Sequence, residues 1–381
     1  MKLKVNFEEL KTGVIAVGKA IKKSPIVTPL IHLNAVKDAL ILSVNGSISA
    51  SIKIPADVQE TGSFLTTFSS INVISVRKCK GDVNISNPSD NTLLLKYRGN
   101  KANSLLTKVD NVFTAIPEPK ENSQKMELPL EQLAEMTKET IFVTEENMAS
   151  DLHSLKLDVE DDEDGIIKFT MTACDGKSLA VRTAYAIKKG DFIGTTLLLP
   201  ENLKTAVDMF DDKDGNVEII IDKDKLFLNK ENTKLCLKTV SRNFPNMSGL
   251  LNSRTCDYKF KVDKREFIEA LNCSLYITNE AKIKNGFGSS VTLSFCKDKI
   301  TIGCVDLSSY KEDIDCESVI PDEKELPGTM FFNTTILKEI VSVYPSDVLE
   351  IGVNNTKSPM WLCAGEHDEY IYCVMPRVKR I

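Results

Sequence analysis

The sequence is poor in the residues that carry most enzyme chemistry: among 381 residues there are three histidines, His32, His153 and His367, and one tryptophan, Trp361. Its ten cysteines include no Cys-x-x-Cys pair, and with so few histidines a structural zinc site lacks its usual ligands. No metal and no cofactor is expected. No G-x-G-x-x-G, P-loop, G-x-S-x-G or H-E-x-x-H motif is present, which disfavours an enzyme. No stretch approaches the roughly 18 consecutive apolar residues of a membrane helix. The opening MKLKVNFEELKTG also lacks the basic-then-apolar build of a secretory signal. These absences lead to the expectation of a cytoplasmic protein with no membrane partner, its cysteines reduced and packed.

What is present is an ordinary globular composition, with 42% hydrophobic and 27% charged residues. At roughly 100–200 residues per domain, the length allows two or three domains. The net charge of −6 argues against a nucleic-acid partner, because phosphate binding needs Lys and Arg. That average hides an asymmetry. Residues 1–124 hold 16 basic and 10 acidic residues, a net +6, whereas 125–252 carry −8 and 253–381 carry −4. Within the basic third, Lys19, Lys22 and Lys23, then Arg77, Lys78 and Lys80, fall at the C-terminal ends of two predicted helices. Complementarity to the helix dipole explains that placement as well as a ligand would. The acidic runs 158–164 and 208–214 are not calcium loops. With Gly165 or Gly215 at the sixth position, Met171 or Ile221 stands where the closing Glu belongs.

The chain repeats itself at a domain-sized period. LKVNFEELKTGV, MELPLEQLAEMT and YKFKVDKREFIEAL each open a strand and then a helix, with Leu10, Leu133 and Phe267 in equivalent places. Further on, GSFLTTFSSINVISV, GTTLLLPENLKTAV and GTMFFNTTILKEIV each predict a strand and a second helix. There Ile71, Leu203 and Leu337 keep one offset from Gly62, Gly194 and Gly328. The following strands, around Val83, Val217 and Leu349, hold the same frame. Alternation such as Leu155, Leu157, Val159 supplies the remaining strands. Two helices packed on mostly antiparallel sheets in each unit give an α+β class. The expected domains are 1–124, 125–252 and 253–381, with boundaries near the polar PEPKENSQ and LLNSRTCD segments. Such units can pack through similar heterologous contacts that close into a ring, of two chains or of three.

Asp175, in TACDGKSLAVRT, reads as the acidic residue of an Asp-Gly turn between strands, and Cys174 beside it as a packed thiol with no paired histidine. Trp361, in SPMWLC, reads as a core strand residue.

Three segments together resemble one family. Thr172-Ala173-Cys174-Asp175-Gly176-Lys177-Ser178-Leu179-Ala180 resembles the A-T-D-G-H-R-L-A signature of the bacterial β sliding clamp, the processivity subunit of DNA polymerase III. Arg242-Asn243-Phe244-Pro245-Asn246 resembles the segment that closes its second domain, and Tyr372-Cys373-Val374-Met375-Pro376 resembles its C-terminal motif. Val112 to Pro117 is a fainter echo in the first unit. The resemblance spans the chain and implies a head-to-tail homodimeric ring around double-stranded DNA. It implies further that short linear motifs of the replicative polymerase and the clamp loader dock between the second and third domains. The implied pocket comprises Leu152, Cys174, Gly176, Lys177, Leu179, Pro245, Leu250, Ile336, Val374, Met375 and Pro376. Its apolar walls would suit a Leu or Phe anchor.

The same resemblance places Lys19, Lys22, Lys23, Arg77, Lys78, Lys80, Lys264, Arg265 and Lys282 toward DNA, and Asn103, Tyr276 and Ile277 at the subunit interface. The chain departs from the pattern at Lys177-Ser178 for the usual His-Arg, at Gly249 for a common pocket Arg, at Asn103 for an aromatic, and in its tail Arg377 to Ile381. A divergent host clamp and a phage-encoded clamp both fit. Two other readings stand beside the clamp. An enzyme using Asp175 and Cys174 would need a base the sequence does not display, and a repeat scaffold that never meets DNA would turn its basic residues outward.

Overall fold

The computed structural model describes residues 1–21, 28–99, 101–120, 123–162, 165–189, 194–222, 224–285, 290–304, 310–321, 325–365 and 369–377, with side chains throughout except at 124 and 278–285. Its strands fall into three groups of eight. The first group is β1 (Lys2–Asn6), β2 (Leu30–Val36), β3 (Ala39–Val44), β4 (Ile48–Glu60), β5 (Gly62–Thr67), β6 (Asp82–Ser89), β7 (Thr92–Tyr97) and β8 (Ala102–Thr107), with helices α1 (Phe7–Lys19) and α2 (Phe68–Ile71). The second is β9 (Gln124–Pro129), β10 (Leu155–Asp161), β11 (Ile166–Cys174), β12 (Ser178–Lys188), β13 (Gly194–Leu198), β14 (Asn216–Asp222), β15 (Lys225–Lys230) and β16 (Thr233–Lys238), with α3 (Leu130–Thr140) and α4 (Pro200–Met209). A short helix, α5 (Ser248–Asn252), lies in the connector to the third group. That group is β17 (Tyr258–Asp263), β18 (Ser290–Phe295), β19 (Lys299–Cys304), β20 (Lys311–Val319), β21 (Met330–Asn333), β22 (Val348–Val353), β23 (Met360–Ala364) and β24 (Tyr370–Val374), with α6 (Lys264–Asn285) and α7 (Thr334–Val343).

Each unit has one topology, antiparallel throughout. In the first, β5, β2, β3 and β4 lie side by side, and the far half of β4 pairs with β1, followed by β6, β7 and β8. The second repeats this as β13, β10, β11, β12 and then β9, β14, β15, β16. The third repeats it as β21, β18, β19, β20 and then β17, β22, β23, β24. Single hydrogen bonds repeat as well. The first residue of each unit's first helix region donates its N–H to the turn ahead of the sixth strand: Phe7 to Gly81, Leu130 to Gly215, Lys264 to Asp347. The chain leaving each eighth strand donates to the edge of the fifth: Val109 to Leu65, Val240 to Leu197, Arg377 to Phe331.

Helices α1, α3, α4 and α7 form because one face of each is apolar at helical spacing. In α1, Phe7, Leu10, Val14 and Val17 are buried, and Asn6 caps the start by accepting the N–H groups of Glu8 and Glu9. Asp263 caps α6 in the same way through Arg265 and Glu266. The recurrent positions Leu10, Leu133, Phe267, Ile71, Leu203 and Leu337 are all buried in the core. The second helix of the first unit is shorter than its counterparts: α2 has four residues and passes into a 3-10 turn at Asn72–Ile74. Ser70 bonds Thr67 through its hydroxyl, and Ser75 donates to the Asn72 carbonyl, so local side chains compete for the groups a longer helix would use. Among the described residues no helix is long and apolar enough to cross a membrane.

Neighbouring units are joined by sheet edges. β16 pairs with the first half of β4, from Thr233 opposite Ile52 to Leu237 opposite Ile48. β24 pairs with β12 in the same way, from Ser178 opposite Val374 to Arg182 opposite Tyr370. On the helical side, α1 meets α4 and α3 meets α7, so the helices of successive units adjoin. A buried arginine, held by an ion pair within the second unit, reinforces the second junction. Arg182, 4% exposed, donates through Nε to Glu139 Oε2 of α3 at 2.7 Å, through Nη1 to the Thr183 carbonyl, and through Nη2 to the Tyr370 hydroxyl at 2.6 Å. Burial pushes the Glu139 carboxyl above its ordinary range, opposed by Arg182. Replacing Arg182 by Met leaves that carboxylate without its counter-charge and is expected to cost about 3–5 kcal/mol in urea unfolding, with Arg182→Met/Glu139→Leu recovering most of the loss.

Candidate functional site

At the junction of the second and third units, side chains from three distant segments form an apolar cluster separate from the main core. Cys174, Leu179 and Val181 come from β11 and β12, Trp361, Ile371 and Cys373 from β23 and β24, and half-buried Phe244, Met247, Leu250 and Leu251 from the connector. The pairing of Leu179 with Cys373 and of Val181 with Ile371 sets them side by side. Trp361, expected as a core residue, is 3% exposed and packs in this junction cluster.

The rim is built by the Asp175 turn. Asp175 Oδ1 accepts the N–H of Lys177 at 2.8 Å and of Ser178 at 2.5 Å, and Gly176 takes φ +80, which only glycine adopts without strain. The Lys177 carbonyl accepts the Met375 N–H at 2.7 Å, which draws the segment after β24 onto the turn. A Cβ at Gly176 would stand 3.5 Å from Leu152 Cδ1. Leu152, Gly176, Lys177, Met375 and, beneath them, Cys174 and Leu179 therefore occupy one place, whereas Val374, on the other face of β24 from Cys373, is buried in the main core. Pro245 is exposed, one residue from Phe244 in the connector, and Pro376 is half-buried beyond Met375. Ile336, on α7, packs instead against the main core. Asp175 is occupied as the turn's acceptor. Burial pushes the Cys174 thiol above its ordinary value, which keeps it protonated and poorly nucleophilic. All ten cysteines are free, and among the described residues no group of three or more His, Cys, Asp or Glu is placed to hold a metal ion.

The basic residues expected to face DNA divide into three sets. Several are engaged elsewhere. Lys19 donates to the Asp208 carbonyl at 2.6 Å, at the C-terminal turn of α4. The Arg77 guanidinium lies over the Tyr97 ring, 5.2 Å from its centroid, and Lys264 donates to the Tyr344 carbonyl at the end of α7. The C-terminal turn of α4 is further served by Lys213, which donates to Val207 and Phe210, while Lys230 donates to the Asp212 carbonyl in the loop beyond it. Lysines gather there because helix C-termini expose unpaired carbonyls at the negative end of the dipole. Lys78, Lys80 and Arg265 are exposed, the first two in the loop before β6. Lys22 and Lys23, and the side chain of Lys282, lie outside the described residues.

At the candidate interface, Tyr276 on α6 is 72% exposed, Ile277 is half-buried and Asn103 is exposed on β8. Leu105, two residues along the same face of β8, is 61% exposed; sequence reading passed over it because alternation alone does not say which face is outward. For the rim, Gly176→Ala is expected to lower stability by about 1–2 kcal/mol in urea unfolding, the cost of a Cβ in the left-handed region.

No family model matches the chain. It is 26% identical over 262 residues to a β sliding clamp of Chlamydia pneumoniae, an alignment covering 67% of this chain and 68% of the relative. Among solved structures it is similar to a DNA polymerase sliding clamp from Bacillus subtilis, with a TM-score of 0.88, 18% identity and 100% of each chain covered. A DNA polymerase III β subunit from Pseudomonas aeruginosa matches with a TM-score of 0.85 and 16% identity, covering 99% of this chain and 100% of that one. Over its whole length the chain has the fold of the sliding clamps, and over two thirds of its length its sequence is similar to that of a bacterial β sliding clamp.

Proposed function

We propose that the chain is the subunit of a DNA sliding clamp. Two copies join head to tail into a ring that encloses duplex DNA, and the ring tethers the replicative polymerase and the clamp loader by peptides that enter the cleft between the second and third units. It performs no catalysis of its own. The observation that carries this reading is a pair of vacant edges. Within the chain, the eighth strand of one unit pairs with the fourth strand of the preceding unit, twice. The pattern leaves β8 and the start of β20 each paired on one side only among the described residues, β8 with β7 and Lys311 and Glu312 with β19. A second copy supplies each with its missing neighbour, and the heterologous contact closes after two chains. Exposed Leu105 lies on the first edge. Tyr276 lies on α6, which is tied to the second through the bond from Tyr310 to the Ala270 carbonyl.

Enclosure reconciles the acidic chain with DNA, because a closed ring needs no tight phosphate contacts, and weak, salt-screened attraction permits sliding. Exposed Lys78, Lys80 and Arg265 remain available for that attraction, while Lys19, Arg77 and Lys264 hold the structure together. The cleft suits a peptide because its floor is apolar and its rim is held by backbone bonds.

Negative-stain images are expected to show a closed ring with a central hole, and Leu105→Asp should weaken subunit association about tenfold or more in sedimentation. Rings dissociated by dilution and reassembled with nicked circular duplex should co-elute with it in high salt and be lost when the circle is linearised. Solitary monomers, open filaments, or retention indifferent to DNA topology would exclude this function.

A further inference from the structure

The rim residue Leu152 belongs to a loop, 144–153, that is gripped by one guanidinium from the opposite wall. Arg242, in the segment after β16, donates through Nη1 to the carbonyls of Ser150, at 2.7 Å, and of His153, and through Nη2 to that of Met148 at 2.8 Å. Three carbonyls of one loop thus converge on one cation, and charge-assisted bonds of this kind are the strong ones. The loop is organised inside as well: the Glu145 carbonyl accepts His153 Nδ1–H at 2.6 Å, and the Ser150 hydroxyl accepts the Leu152 N–H. On its far side the loop meets α4, where Glu201 Oε2 lies 3.2 Å from His153 Nε2. Two residues beyond Arg242 the chain supplies Phe244, then Met247 and Leu250, to the apolar cluster. One side chain therefore joins the Leu152 wall of the cleft to the connector wall.

We infer that Arg242 is a positioning residue for the cleft. It fixes the Leu152 loop against the Gly176 turn and the connector before any partner arrives, so that an apolar peptide side chain meets a formed slot rather than a loop it must order. The inference rests on the reading of the cleft as a peptide-binding site. Preorganisation acts on affinity by removing that ordering cost.

The test uses the full-length chain and a fluorescein-labelled synthetic peptide ending in Leu-Phe, with anisotropy as the affinity readout. Arg242→Met should weaken binding roughly tenfold, and Arg242→Lys, whose ammonium can still serve part of the carbonyl set, should fall between Met and wild type. Hydrogen exchange should quicken at amides 145–153 in Arg242→Met while β11 and β12 keep their protection, which separates loss of the loop's placement from loss of the fold. Equal affinity of wild type and Arg242→Met overturns the inference, as does a loss that Arg242→Lys does not partly recover. A wild-type chain that leaves the peptide unbound overturns instead the reading of the cleft on which the inference stands.

Discussion

Antiparallel pairing across sheet edges is the constraint on which the rest of this molecule depends. Each unit has an eighth strand with one unpaired edge, and an unpaired row of backbone donors and acceptors is a template for another strand. Here β16 and β24 are covered by β4 and β12 in the same register sense, so each unit is set against the next by main-chain bonds. Those bonds fix a relative rotation that side-chain packing alone would specify less tightly. Everything that lies at a junction follows from it, including the adjoining helices, the buried Arg182 and the apolar cluster.

The apolar cluster at the second junction illustrates how an edge gathers distant residues. Pairing of β24 with β12 brings the end of the chain beside the Asp175 turn, and the Lys177 carbonyl then fixes Met375. Cys174, Leu179, Trp361 and Cys373, from four strands of two units, make one buried apolar cluster. The walls above it are irregular chain, and irregular chain holds its shape only where its polar groups find partners. Arg242, Asp175 and His153 are those partners, which explains why polar residues stand beside an apolar cluster.

Charge is used in two ways. Lys19 and Lys264, at the ends of α1 and α6, and Lys213, in the loop after α4, are spent on the C-terminal carbonyls of α4 and α7. Other cations, Lys78, Lys80 and Arg265, stay in solvent. A ring that holds its ligand by enclosure can divide its cations in this way, since it needs only weak attraction along its path.

By itself the sequence determined the repeating frame. Leu10, Leu133 and Phe267, like Ile71, Leu203 and Leu337, recur at domain-sized steps because each must fill the same place under a helix, and burial of apolar side chains leaves a periodic trace in the amino acids. Residues of the Asp175 turn were legible for a different reason, since Asp-Gly carries its own backbone geometry. The tertiary structure alone decided which edges meet, which lysines are consumed and what role Arg242 plays. Backbone hydrogen bonds between edges carry no side-chain signature, and an ammonium near a helix end reads identically whether it faces solvent, DNA or the carbonyls of a neighbouring unit. Ile336 shows the limit from the other side: it aligns with a pocket position, yet the packing of α7 turns it to the main core.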